Sequence, residues 1–110
     1  KRNSAYFGHG LVFNKYTGSR GKGNSNDANA EYIAAIRAMM DRRGVAFQTA
    51  ELGKIDVGGG GTIAYILALY GMNVIDSGVA VLNMHAPQEV TSKTDVYEAY
   101  RGYCAFLQEA

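Results

Sequence analysis

The residue of this sequence best suited to hold a metal ion is a histidine, His85, in the segment Asn83-Met84-His85-Ala86-Pro87. The apolar residues before it predict a strand from Val79 to Met84, so the imidazole would stand where a strand ends. A neutral imidazole at such a point can bind a metal ion while the strand holds its backbone. The chain has no His-x-x-x-His or Cys-x-x-Cys pair, so spacing alone favours the alternative, a hydrogen-bonded histidine at a sheet edge.

A run of four glycines is the second feature that could serve chemistry: Gly58, Gly59, Gly60 and Gly61. Each glycine costs about 0.5–1 kcal/mol of chain entropy relative to alanine, so a run is favoured where the backbone needs positive φ or a close approach. A helix is predicted to begin near Thr62, and free N–H groups at a helix start favour an anion or a carbonyl oxygen. The run therefore predicts a loop that contacts substrate, with a turn of no function as the alternative.

The same glycines allow a rival interpretation as a nucleotide site. Gly59, Gly61 and Ala64 fit the pattern G-x-G-x-x-A, which contacts dinucleotides between a strand and a helix, and the next predicted strand ends in Asp76. Residues 53–58 intervene where that motif needs a tight turn, and Asp76 comes early. A dinucleotide-binding module stays open as the alternative.

Lys15 is the third candidate, at the end of a predicted strand and before a loop rich in glycine, serine and asparagine. Its ammonium could hold a carboxylate or a peptide carbonyl, although spacing alone favours a solvated lysine. His9 is interpreted as structural or exposed. The possible oxygen ligands within the chain are Glu51, Asp56 and Asp76. No spacing singles them out, so the other ligands of any metal ion are expected upstream of Lys1.

Seven predicted elements would position these residues, in the order β-α-β-α-β-β-α. This alternation predicts an α/β fold, a layered sheet with flanking helices. The predicted strands cover residues 9–16, 45–52, 73–76 and 79–84, and the predicted helices cover 27–43, 62–70 and a last segment that follows Ser92. Ligands of such sheets bind beyond the carboxyl ends of the strands, which is where the glycine run and His85 both fall.

The predicted helices carry signals at their ends and along one face. Asp27 is the predicted N-cap of the first helix and Gly44 its stop, while Ser92 and Asp95 form a predicted capping pair for the last. Periodicity predicts three buried stripes. They are Ile33, Ile36 and Met40; Ile63, Ile66, Leu67 and Tyr70; and Val96, Tyr100, Tyr103, Cys104 and Leu107.

Length and composition bound the class of protein. The 110 residues suffice for one small domain, and 47% of them are apolar, so a modest core can form. The net charge of +1 and its scattered basic residues argue against nucleic acid, and no apolar run is long enough for a membrane span. A single cysteine, Cys104, predicts a cytoplasmic protein. Since Lys1 is not a methionine, we expect the sequence to begin inside a longer protein.

Ordered motifs along nearly the whole chain resemble the C-terminal part of the aspartyl aminopeptidase and aminopeptidase I family. They are residues 15–18, 25–30, 51–64, 83–87 and 97–103. The resemblance implies that residues 1–110 are the C-terminal segment of a zinc-exopeptidase catalytic domain, without the rest of that domain and its inserted dimerisation domain. The glycine run and the Asn-Met-His-Ala-Pro segment look more like the aminopeptidase I branch than the aspartate-preferring branch. A preference for neutral N-terminal residues, or a broad preference, therefore agrees with the resemblance at least as well as a preference for acidic ones.

The resemblance also implies a function and roles for residues. The parent would be a cytoplasmic homo-oligomeric hydrolase that removes N-terminal residues from peptides by attack of a zinc-activated water, with two zinc ions. His85 would be a metal ligand, and the remaining ligands and the general-base glutamate would lie upstream, so the fragment alone is predicted to be inactive. Substrate contacts would come from Lys15, Met84 and the glycine run Gly58 to Gly61. A non-catalytic assembly relative is a further alternative.

Overall fold

The computed structural model describes residues 4–18, 26–51 and 63–109. The strands and helices of these residues follow one another along the chain with the longest helices near the middle and at the end. In chain order they are β1 (Leu11–Asn14), β2 (Tyr16–Thr17), β3 (Asn26–Asp27), α1 (Ala30–Arg43), β4 (Phe47–Ala50), α2 (Ala64–Ala68), β5 (Asp76–Gly78), β6 (Val81–Leu82), β7 (Val90–Thr91) and α3 (Lys93–Glu109).

The centre of the fold is a three-stranded sheet in the order β4-β1-β5. Strand β1 runs parallel to β4 and antiparallel to β5. Side chains alternate across a strand, and Leu11 and Phe13 accordingly enter the core under α1 and α3. Val12 and Asn14 point to the opposite face, where they line a groove. The α/β layered architecture predicted from the sequence is therefore confirmed.

Helix α1 ends where predicted but begins under a different cap. Gly44 follows it with φ 66°, and its N–H returns to the Asp41 carbonyl oxygen at 3.2 Å, which is the left-handed stop expected of glycine. The cap is Asn29, whose side-chain oxygen accepts the Tyr32 N–H at 2.7 Å. The prediction of Asp27 as the cap was wrong, because Asp27 lies in β3 and its carboxylate is paired with Lys15.

Helix α3 packs on the sheet through small residues. Its buried positions are Asp95, Ala99, Gly102 and Ala105. A Cβ at Gly102 would lie 2.5 Å from Leu11 Cδ2, so glycine lets the helix approach β1 closely. The predicted apolar stripe was wrong, because the large side chains turn away from this contact; Val96, Tyr100, Tyr103 and Leu107 are exposed and Cys104 is half-buried.

The Asp95 carboxylate does not close a capping pair with Ser92. It is fully buried, and its two oxygens accept the N–H groups of Gly8 and Gly10, each at 2.9 Å. The Ser92 carbonyl accepts the Val96 N–H at 3.1 Å, as expected at a helix start. Asp95 therefore links the segment that precedes β1 to the first turn of α3. The predicted capping pair was wrong, because the Asp95 carboxylate is hydrogen-bonded to that distant segment instead.

The remaining elements are shorter than predicted. Helix α2 has five residues, and Ile63, Ile66, Leu67 and Tyr70 are exposed rather than buried. The strand predicted at 73–76 lies later in the chain, because β5 begins at Asp76, the last residue of the prediction, and ends at Gly78. The predicted strand at 79–84 is reduced to β6, which pairs with β7 in a hairpin. Among the described residues, no helix has the length and apolar character to cross a membrane.

Candidate functional site

The hairpin of β6 and β7 presents the predicted metal ligand on a turn. Two residues there without glycine's freedom have left-handed backbone, Asn83 with φ 61° and His85 with φ 69°. Left-handed backbone costs most L-residues about 1–2 kcal/mol each, although asparagine and histidine adopt it more often than other side chains do. A hydrogen bond within the turn joins the Ala86 N–H to the Asn83 carbonyl oxygen at 3.0 Å. The imidazole of His85 is on an exposed residue, not enclosed in apolar packing.

A carboxylate reaches across the turn to the same histidine. Glu89 Oε1 accepts the backbone N–H of His85 at 2.5 Å. The strands on either side are joined by the register Leu82 to Val90 and by the Thr91 hydroxyl, which donates to the Ala80 carbonyl oxygen at 2.8 Å. The backbone N–H of His85 is thus bonded to the side chain of the residue that directly precedes the return strand β7. Reasoning from sequence missed Glu89, although its position four residues after His85 in a turn was a usable signal.

A groove of about 430 Å³ lies on the sheet face opposite the helices. Its polar wall comes from the end of β1, the end of β4 and the start of β5, with Asn14, Glu51 and Asp76. Met84, which precedes His85, forms part of its apolar wall. The structure therefore brings Met84 together with strand ends at the carboxyl edge of β1 and β4, where ligands of α/β sheets bind.

Two buried oxygen atoms of this groove have no hydrogen-bond partner within the described part of the chain. They are Asn14 Oδ1 and Glu51 Oε2. Burial raises the pKa of the Glu51 carboxyl, while a hydrogen bond from the Tyr16 backbone and the charge of Lys15 oppose that shift. Buried polar atoms normally find partners, so both oxygens are acceptors that are left unsatisfied in the described structure.

Lys15 follows β1 but does not join the described lining of that groove. Its ammonium is paired with the Asp27 carboxylate, and both side chains are about half exposed. Lys15 instead borders a small cavity on the helix side of the sheet, beside Ile33 and Thr49. Lys15 and Met84, which the sequence predicted to share a substrate site, therefore line different cavities.

The other predicted residues divide between exposed and undescribed positions. His9 is exposed, with its ring centroid 5.7 Å from that of Tyr6, which agrees with the structural interpretation given to it. The glycine run Gly58 to Gly61 lies outside the described residues. Within residues 4–18, 26–51 and 63–109, no group of three or more histidine, cysteine, aspartate or glutamate side chains could hold a metal ion.

Comparison with known proteins decides the family. Residues 1–107 match the profile of the family described as Aminopeptidase I zinc metalloprotease (M18). This chain belongs to that family. The resemblance deduced from the motifs is therefore confirmed, and the family description supports zinc as the metal.

Relatives of this M18 chain are much longer than it is. The probable M18 family aminopeptidase 1 of Clostridium acetobutylicum is 69% identical over 107 residues, which is 97% of this chain and 23% of that protein. The crystal structure of aminopeptidase I from the same organism matches with a TM-score of 0.88 at 68% identity, over 96% of this chain and 23% of its own. An aminopeptidase structure from Thermotoga maritima matches with a TM-score of 0.89 at 47% identity, over 96% and 24%.

The strand directions of this M18 chain also bear on the nucleotide alternative. A dinucleotide unit needs parallel strands on either side of its helix. Here β4 precedes α2 and runs parallel to β1, whereas β5 follows α2 and runs antiparallel to β1. The alternative built on Gly59, Gly61 and Ala64 is therefore wrong.

Proposed function

We propose that this chain is the C-terminal segment of the catalytic domain of a longer zinc aminopeptidase, which removes N-terminal residues from peptides. The rest of that domain and an inserted dimerisation domain would precede Lys1. Family membership supports the class of enzyme, and the chain spans about a quarter of the length of its relatives. The observation that carries the proposal is His85, exposed on a turn whose backbone is held in one conformation beside a groove.

The donor chemistry of His85 fits zinc, which takes neutral imidazole nitrogen as a ligand. The described residues supply no complete ligand set, so the other ligands and the general-base glutamate belong to the upstream polypeptide in this proposal. Zinc, two ions in the whole protein, would polarise the peptide carbonyl and activate water. The chain itself would contribute one imidazole and part of the substrate pocket.

The groove gives the chain its role toward the peptide. Met84 offers apolar surface, and the free acceptor atoms Asn14 Oδ1 and Glu51 Oε2 suit the N–H groups of a peptide end. The glycine run Gly58 to Gly61, which follows β4 and Glu51 in the chain, would line the same pocket. Lys15 would turn from Asp27 to a substrate carboxylate or carbonyl. The parent would act in the cytoplasm as a homo-oligomer.

The test uses the longer protein with aminoacyl chromogenic substrates. Activity is expected to disappear with a chelator, and His85→Ala is expected to lose most of the turnover because one metal ligand is removed. His9→Ala is the matched control, since His9 is also exposed and its ring lies beside that of Tyr6, away from the turn of His85 in the sequence. Unchanged turnover in a folded His85→Ala variant would refute the ligand role. Robust hydrolysis by the isolated 110-residue chain would show that the site is placed wrongly.

A further inference from the structure

The turn that carries His85 contains two residues other than glycine in left-handed backbone. Asn83 and His85 both have positive φ, and neither is glycine. The Asn83 carbonyl accepts the Ala86 N–H at 3.0 Å, which closes the turn. That bond encloses Met84 and His85 in a four-residue turn and leaves the N–H of His85 itself to another acceptor.

Glu89 supplies a protein partner for the N–H of His85. Its Oε1 accepts the His85 N–H at 2.5 Å, and a bond to an ionised acceptor is stronger than one between neutral groups. Glu89 directly precedes β7, and Val90 of that strand pairs with Leu82 of β6. The carboxylate therefore starts from a backbone that is anchored to the strand leading into His85.

We infer that Glu89 is a positioning residue for the metal-ligand histidine, which it orients through the backbone N–H of His85. This inference rests on the proposed function. The contact is to the backbone and not to the ring, so the carboxylate acts through His85 and leaves both ring nitrogens available. Loss of the contact would remove one hydrogen bond that holds the turn, and the imidazole would then have to be ordered to a greater degree by the metal ion itself.

The experiment measures zinc affinity of the longer protein by competition with a chromogenic chelator. Partners that hydrogen-bond a metal-ligand side chain directly contribute about 10–100-fold in affinity; because Glu89 acts through the backbone, Glu89→Ala is expected to weaken zinc binding by about tenfold, the lower end of that range. Glu89→Gln keeps an oxygen that can accept the N–H and is expected to retain most of the affinity. Glu89→Asp keeps the charge but is one methylene too short, and it is expected to lose affinity as alanine does.

Gln88→Ala is the matched control, because Gln88 is exposed on the same turn and is expected to leave the affinity unchanged. Cobalt(II) in place of zinc gives a second readout, since its visible spectrum reports the ligand geometry and should change in the alanine and aspartate variants alone. If the alanine variant does not fold, the aspartate and glutamine pair still decides the question. Wild-type affinity in Glu89→Asp, or equal losses in glutamine and alanine, would overturn the positioning role.

His85→Ala measured in the same titration separates the two proposals. If His85→Ala leaves zinc affinity unchanged, the ligand role of His85 fails and the inference about Glu89 fails with it. If His85→Ala weakens binding while Glu89→Ala does not, the proposed function stands and the positioning role alone is refuted.

Discussion

Replacement of the buried carboxylate of Asp95 should destabilise the fold more than any exposed substitution in α3. Asp95 is 0% exposed, and each of its oxygens accepts one backbone N–H, from Gly8 and from Gly10, at 2.9 Å. A hydrogen bond to a charged group contributes about 1.5–3 kcal/mol. The bond from Gly10 is buried, whereas Gly8 is exposed and can regain a bond to water. We therefore expect Asp95→Ala to lower the free energy of unfolding by about 3–5 kcal/mol.

That loss would be a large part of the total, since small domains are stable by about 5–15 kcal/mol. Asp95→Asn should lower the free energy of unfolding by an intermediate amount. Its amide oxygen can still accept one of the two N–H groups, but its NH₂ group faces the other N–H, and two donors cannot form a hydrogen bond. Thr94→Ala, at an exposed neighbouring position in the same helical turn, is the control, with an expected change within about 0.5 kcal/mol.

The assay is urea unfolding of the 110-residue chain, followed by circular dichroism and by the fluorescence of its eight tyrosines, since it has no tryptophan. Hydrogen exchange adds a local readout, because the Gly10 amide should lose its protection in Asp95→Ala. A loss below about 1 kcal/mol with the Gly10 amide still protected would refute the claim that Asp95 ties β1 to α3.

Two further predictions test the packing of α3 against β1 and the ionisation of Glu51 in the groove. Gly102→Ala should cost up to about 2 kcal/mol of stability, because its Cβ would meet Leu11 Cδ2 at 2.5 Å and overpacking costs about 1–3 kcal/mol, of which the better helix propensity of alanine offsets about 1 kcal/mol. Gly78→Ala is the control, with no atom within 4 Å of its Cβ, and equal urea midpoints for the two variants would contradict the prediction. The free energy of unfolding of Glu51→Gln should increase relative to that of the wild type as pH rises above the ordinary glutamate pKa. Burial raises the pKa of Glu51 in the folded chain, so ionisation of this group lowers the stability of the wild type but not that of the variant. Urea midpoints over a pH series check this, and a difference that shrinks with rising pH would contradict it.

Local patterns in the sequence were sufficient for features that depend on neighbouring residues. The end of α1 at Gly44, the order of the main elements and the place of His85 after a strand could all be predicted. Helix stops and strand ends arise from backbone preferences within a few residues, so one sequence contains them. The ordered motifs along nearly the whole chain also carried enough information to identify the family.

Long-range partners decided what local patterns could not. Asp95 reads as a capping residue, yet its carboxylate bonds to glycines more than eighty positions earlier. Helical periodicity gave α3 a stripe of large apolar residues, but the close approach of Gly102 to Leu11 placed small residues inside and the large ones outside. The contact of Glu89 with His85 likewise needed the folded turn. Periodicity and capping signals describe which face or end a residue can occupy, whereas packing determines which segment of the chain meets it.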